Sequence, residues 1–147
     1  ENCYSSGNID VSNNGATAGH MVYAGGLVGW IEYRPDLVVV KNSAALGARA
    51  VAATTTIYFQ SNRIAAVGNG TVFRTGFGNN FALKNMLIGN DPTAQAQDDA
   101  GDAATAAGLG KTLAEFRNGS TWTSELGFDT TIWDVSGVQQ GKWPTLR

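Results

Sequence analysis

The sequence predicts an all-β protein, a short parallel β-helix (β-solenoid) with a C-terminal cap containing one short helix, and three observations carry that prediction. The run Gly25-Gly26-Leu27-Val28-Gly29-Trp30 sets aliphatic residues between glycines, which suits a short buried strand closely approached by backbone and suits a helix poorly. The same small-aliphatic-glycine shape returns in Arg63 to Asn69, with Gly68 lying 39 residues after Gly29. A second marker opens on asparagine: Asn2-Cys3-Tyr4-Ser5-Ser6-Gly7, then Asn42-Ser43-Ala44-Ala45-Leu46-Gly47, then Asn85-Met86-Leu87-Ile88-Gly89, spaced by 40 and 43 residues. Two features sharing a period of about 40 indicate a repeat architecture, in which each unit buries its apolar side against its neighbours.

Taken in order, Cys3 to Val11 reads as two short strands broken by Ser6-Gly7-Asn8, and Ser12-Asn13-Asn14-Gly15 as a turn, because Asn-Gly accepts positive φ. Met21 to Ile31 is a strand region, Tyr33-Arg34-Pro35-Asp36 breaks it, and Leu37 to Val40 resumes as an unalternating strand buried on both sides or at a sheet core. Asn42 to Ala53 is alanine-rich and helical by propensity alone, but its register with Asn2 makes it strand, small residues suiting the inside of a narrow solenoid. Thr54 to Phe59, Arg63 to Val67, Thr71 to Arg74 and Phe81 to Ile88 continue as short strands separated by glycine and asparagine.

The composition changes after Gly89. Residues 90 to 107 lack large apolar side chains and carry Asp91, Asp98, Asp99 and Asp102 with no lysine or arginine, the pattern of a polar excursion from the body. Thr112 and Glu115 then stand in capping-box spacing ahead of Phe116, which predicts a short helix. Trp122, Trp133 and Trp143, with Leu126, Phe128, Ile132 and Val138, read as a lid over the open apolar end of the stack. The expected organisation is one domain: solenoid rungs over 1–89, an acidic loop over 90–110 and a cap over 111–147.

Length and composition narrow the function. A chain of 147 residues with 43% hydrophobic content can bury a core as one domain. Nineteen glycines against three prolines mark many tight turns. Charged residues make up 15% and the net charge is −2, so there is no basic stripe for nucleic acid or an anionic membrane. No apolar run approaches the roughly 20 residues of a membrane span. The single cysteine, Cys3, makes no internal disulfide and reads as a small inward residue of the first rung. The start Glu1-Asn2-Cys3 falls inside a repeat marker and reads as the C-terminal piece of a longer exported protein.

The run Gly25-Gly26-Leu27-Val28-Gly29, flanked by Asn2 to Ile9 and by Lys41-Asn42-Ser43-Ala44-Ala45, resembles the GLUG repeat of bacterial surface proteins and IgA-peptidase-like polypeptides. Leu126 to Asp134, followed by Gly141-Lys142-Trp143-Pro144-Thr145-Leu146, is similar to the segment that ends such arrays. The resemblance implies a β-solenoid outside a bacterium, secreted or at the cell surface, and implies no catalytic residue.

The chemistry-bearing residues agree with a non-enzymatic reading. His20 is the only histidine, and neither it nor Cys3 sits in a nucleophile signature. One Cys and one His do not make a four-ligand zinc site. Asp98, Asp99 and Asp102 are the only carboxylate cluster, and their spacing lacks the alternation of a known calcium loop; they read as a solvated loop, with calcium left as the alternative. Gly68-Asn69-Gly70 and Gly76-Phe77-Gly78 lack the Lys-Ser/Thr of a phosphate loop and read as corners. Asn69-Gly70-Thr71 and Asn118-Gly119-Ser120 are glycosylation sequons only in a eukaryotic secretory protein. Of the aromatics outside the cap, Tyr4, Tyr23, Trp30, Tyr33, Tyr58, Phe59 and Phe73, the pair Trp30 and Tyr33 is the best candidate for a glycan-stacking platform. The expected function is a non-catalytic extracellular module, an adhesin or spacer that contacts surface glycan or protein, with no cofactor, no metal, no nucleic acid and no membrane insertion. The alternatives are a polysaccharide-acting β-helix enzyme, lyase or hydrolase, and the accessory end of a larger secreted peptidase.

Overall fold

A computed structural model describes residues 1–13, 21–31, 39–54, 59–67, 76–90, 93–97 and 101–147. The fold is mostly β, with parallel sheets and a few short helices. In chain order the strands are β1 (Tyr4–Ser5), β2 (Ile9–Asn13), β3 (Val22–Gly25), β4 (Val28–Ile31), β5 (Val40–Lys41), β6 (Ala44–Ala45), β7 (Arg49–Thr54) and β8 (Phe59–Asn62). There follow β9 (Ala65–Val67), β10 (Phe77–Gly78), β11 (Phe81–Leu83), β12 (Leu87–Asn90), β13 (Gln95–Ala96), β14 (Leu109–Lys111), β15 (Trp133–Asp134) and β16 (Thr145–Leu146). One helix, α1 (Leu113–Phe116), precedes a π-helical turn over Thr121–Glu125 and a 3-10 turn over Val138–Gln140.

Each early strand lies beside the strand one pass later. In the first sheet Tyr4 of β1 stands beside Ala44 of β6, Ala44 beside Phe81 of β11, and Phe81 beside Leu109 of β14. In the second, Ile9 of β2 pairs with Ala50 of β7, and Ala50 with Ile88 of β12. The pairs β3–β8, β4–β9 and β5–β10 match Val22 with Phe59, Val28 with Ala65 and Val40 with Phe77, each 37 residues on. Parallel partners need a long connection; between β1 and β6 that connection is itself β2 to β5.

The register corrects the repeat spacing read from the sequence. Asn2, Asn42 and Asn79 hold left-handed backbone with φ of 56°, 52° and 54°, and each precedes by two residues one of the aligned trio Tyr4, Ala44 and Phe81. The third corner asparagine is therefore Asn79, and the step is 37 residues where 43 was expected. Asn85, with φ of 64°, turns the next corner, between β11 and β12. Asparagine is among the few residues that tolerate this conformation, so both corners select it and the sequence marker confuses them. The Asn79 Nδ2 donates to Asn42 Oδ1 at 3.1 Å, linking successive corners.

The interior is narrow and built from small residues. Ala24, Ala45, Ala50, Ala52, Ala65 and Ala82 are fully buried, with Ile31, Ile64, Phe77 and Met86 filling the wider parts. Burial between close sheets overrides the helix propensity of the alanine run, which forms β6 and β7. Two local expectations fail. Strand β2 continues through Ser12 and Asn13, where a turn was expected, because its backbone pairs with Ala53 and Thr54. Val39 is 52% exposed and Val40 half-buried, so this part of the apolar run is not covered on both sides; Leu37 and Val38 lie outside the described residues, as do Tyr58, Phe73 and the strand expected over Thr71 to Arg74.

The C-terminal aromatics lie across the first sheet, where a lid over an open end was expected. Trp122, Phe116, Leu126, Phe128 and Val138 pack in one buried cluster with Ala44, Leu46 and Phe81, joined by Tyr4 and Leu109. Tyr4 on β1 meets Trp122 edge-on at 5.5 Å and donates its hydroxyl to the Pro144 carbonyl at 2.7 Å. The line Tyr4, Ala44, Phe81, Leu109 emerges on the side of the sheet opposite Ala45 and Ala82, and that apolar outer line attracts the tryptophans. Asn2 Nδ2 donates to the Gly127 carbonyl at 3.0 Å and Asn79 Nδ2 to that of Glu125, so corner asparagines hold the same segment.

Helix α1 has the expected capping box. Glu115 N–H donates to Thr112 Oγ1 at 3.2 Å, and Thr112 N–H donates back to Glu115 Oε2 at 2.7 Å. The bond from the Thr112 backbone, followed by that from its hydroxyl, holds the Glu115 carboxyl below its ordinary value of 4.5. A lowered carboxylate contributes stability that is present above the unfolded value and lost as pH falls through the folded one. Below pH 4.5 the wild-type melting temperature should therefore decline more steeply than that of Glu115→Gln, as followed by circular dichroism.

Gly26, just after β3, marks a close backbone approach to the turn that follows β8. Its N–H donates to the Arg63 carbonyl at 3.1 Å, its own carbonyl accepts from Ser5 Oγ, and a Cβ there would stand 2.1 Å from the Arg63 oxygen. A Cβ at Gly29 meets nothing within 4 Å. Urea denaturation should show Gly26→Ala losing about 1–3 kcal/mol, the usual cost of overpacking, and Gly29→Ala close to wild type.

Candidate functional site

The most site-like surface begins where the third pass of the chain leaves the pattern of the first two. After β12 lies beside β7, Gly89 adopts φ of 127°, its N–H donating to Ser61 Oγ at 2.7 Å. This left-handed geometry favours glycine, and β13 returns antiparallel along β12 with Leu87 beside Ala96. The sheet of β3 and β8 therefore gains no third strand among the described residues. The space beside β8 is a groove of about 730 Å³ bounded by β8, β12, β13 and residues 105–107.

Its lining suits uncharged polar groups. Gln60, Asn62, Asn90, Gln95 and Gln97 contribute carboxamides, and Val67, Ile88, Ala96 and Ala106 supply apolar floor. No Asp, Glu, Lys or Arg is among the described residues that line it. Each carboxamide both donates and accepts, and the volume falls in the range of small-ligand sites.

One wall is fixed by a buried cation that sequence reading missed. Arg63 is 0% exposed; its Nε donates to the Ala107 carbonyl at 2.9 Å and an Nη to that of Gly108 at 2.7 Å. Ile64 and Ala65 N–H donate to the Ala106 carbonyl at 3.0 and 3.2 Å. Residues 101–108 thus lie against the body, and Ala106 joins the core, where an outward excursion was expected. The composition signal misled because small residues fit beneath a backbone that Arg63 holds down. The only sequence hint was an arginine standing where the first pass has Gly26.

A stacked aromatic pair adjoins the groove. Tyr23 and Trp30 lie 5.2 Å apart with an interplanar angle of 26°, and Trp30 is 48% exposed. Val22 and Ala24 on either side of Tyr23 are buried, so alternation turns Tyr23 outward. Its register partner on β8 is Gln60, a groove residue, which makes the aromatic pair and the groove one continuous surface. Trp30 was anticipated as a platform residue, but its partner is Tyr23; Tyr33 lies outside the described residues.

The remaining candidates disperse. His20, Asp98, Asp99 and the sequon at Asn69 lie outside the described residues. Asp102 is exposed and its Oδ1 accepts from Ala104 N–H at 2.8 Å, a local turn bond. Among the described residues no group of three or more His, Cys, Asp or Glu gathers as a metal site. Cys3 is exposed, its thiol donating to the Glu1 carbonyl at 3.3 Å, and not inward as expected. Its register equivalents Ser43 and Asn80 are buried, while β1 is an edge strand that leaves Cys3 uncovered. Phe77 is core and with Gly78 forms strand β10 beside β5, so Gly76-Phe77-Gly78 leads into a strand where a corner was expected, and the left-handed residue is Asn79. Asn118 Oδ1 accepts from Ser120 N–H at 3.1 Å within its own turn. Among the described residues no helix is long and apolar enough to cross a membrane.

No family model matches the sequence, and no curated protein or solved structure matches it.

Arg63 places two donors on two carbonyls through a planar fork that lysine lacks. Arg63→Lys should lose about 1–3 kcal/mol by leaving a buried carbonyl without its donor, and hydrogen exchange should show faster exchange in residues 101–108 than in α1.

Proposed function

We propose that the protein is a non-catalytic extracellular module, a short β-solenoid of the GLUG-repeat kind at a bacterial surface, acting as an adhesin or spacer that presents a side face to glycan or protein. The observation that carries this reading is the parallel placement of five successive strands, β1 to β5, beside five later ones, β6 to β10, with one register shift, in β4–β9. Such placement is what a coiled chain produces when each turn lies on the last, and a stack of this kind gains cohesion from nearest neighbours. The linked corner asparagines Asn42 and Asn79 support the same reading.

A passive module of this construction works by holding its faces in fixed relative positions. Its outer residues are free of the core's packing demands, so the coil serves as a scaffold and the surface as the contact. The groove, whose described lining residues are uncharged, and the Tyr23–Trp30 pair are the part of that surface best suited to contact.

The test is to insert a second copy of residues 41–77 directly after the first. A solenoid accommodates one more turn: the enlarged protein should unfold in one transition with a larger urea m-value, and X-ray scattering should show it longer by one strand spacing, about 4.8 Å, at unchanged cross-section. Two separate transitions, or growth in cross-section instead of length, would refute the stacked construction.

A further inference from the structure

The geometry points to a binding site for an uncharged polysaccharide that runs from the Tyr23–Trp30 stack across Gln60 into the carboxamide-lined groove. This inference deepens the module reading and rests on it for the assignment of a binding role. A sugar ring offers an apolar C–H face and a rim of hydroxyls that donate and accept. The stacked pair, with Trp30 nearly half exposed, provides a flat apolar surface for the first. Carboxamides provide both donors and acceptors for the second, and Asn62 of β8 and Gln95 of β13 both line the groove.

The charge pattern selects among polysaccharides. An anionic chain entering this groove would lose water without meeting a cation, since none of the described lining residues is charged, and an unpaired charge removed from water is strongly disfavoured. Arg63, the cation behind one wall, is buried and already turned to the Ala107 and Gly108 carbonyls. A neutral chain carries no such penalty.

Affinity electrophoresis through gels containing dextran, laminarin, mannan, xylan, polygalacturonate or hyaluronan tests the inference. At least one neutral polymer should retard the wild-type protein, and neither acidic polymer should. Trp30→Ala should weaken that retardation at least tenfold with an unchanged circular dichroism spectrum, because Trp30 lies on the surface; Gln95→Ala should weaken it as well. Retardation by acidic polymers alone, retardation unchanged in both variants, or no retardation by any neutral polymer would overturn it. The last outcome, together with successful insertion of residues 41–77, removes the polysaccharide site and leaves the module reading standing; failure of the insertion counts against the module itself.

Discussion

Parallel pairing in register places each residue beside its counterpart one pass later, and most other features of the fold follow from that constraint. A position that faces inward once must face inward again, so Ala45 and Ala82 share the interior while Ala44 and Phe81 share the outside. A corner that bends left-handed must do so at each layer, which is why asparagine recurs at 2, 42 and 79. The constraint also admits asymmetric solutions. Gly26 and Arg63 occupy equivalent positions, and the absence of a side chain at the first allows the close approach of backbone at the second.

Much of the framework was legible because it depends on local residue types. The strand runs around Val22, Val28, Ala50 and Phe81, the Thr112–Glu115 capping box and the apolar character of the last tryptophans all declare themselves over a few residues. What failed depended on long-range register. Asn79 and Asn85 are equally good corner residues, and only the pairing of Phe81 with Ala44 shows which one continues the series. The same limit hid the resting place of the cap, since nothing local to Trp122 reveals that Tyr4 is its neighbour. Nor does anything local to Trp30 announce that the corner at Gly26 brings Tyr23 alongside it.

Buried polar groups are handled by the backbone more than by side-chain pairs. Arg63 is satisfied by carbonyls, Trp122 donates its indole N–H to the Phe116 carbonyl at 2.8 Å, and Asn80 donates to that of Val40 at 2.7 Å. Asn80 Oδ1 stands apart in having no partner among the described residues, and an unsatisfied buried acceptor costs stability. The ion pair of Asp10 with Arg49 lies at the surface, where exposed pairs contribute little, whereas Lys111, with 12% of its side chain exposed, meets Glu125 at 2.6 Å.

The route of the C-terminal segment has a mechanical consequence. Linear arrays ordinarily fray from whichever end is least supported, the outermost unit detaching while the rest stays folded. Here Tyr4, at one edge of the first sheet, is tied to Pro144 and Trp122, while Lys111, at the opposite edge, is tied to Glu125 of the same segment. Peeling either edge away disturbs a brace shared with the other, which turns a row of nearest-neighbour contacts into a closed circuit and makes loss of the two margins a single cooperative event.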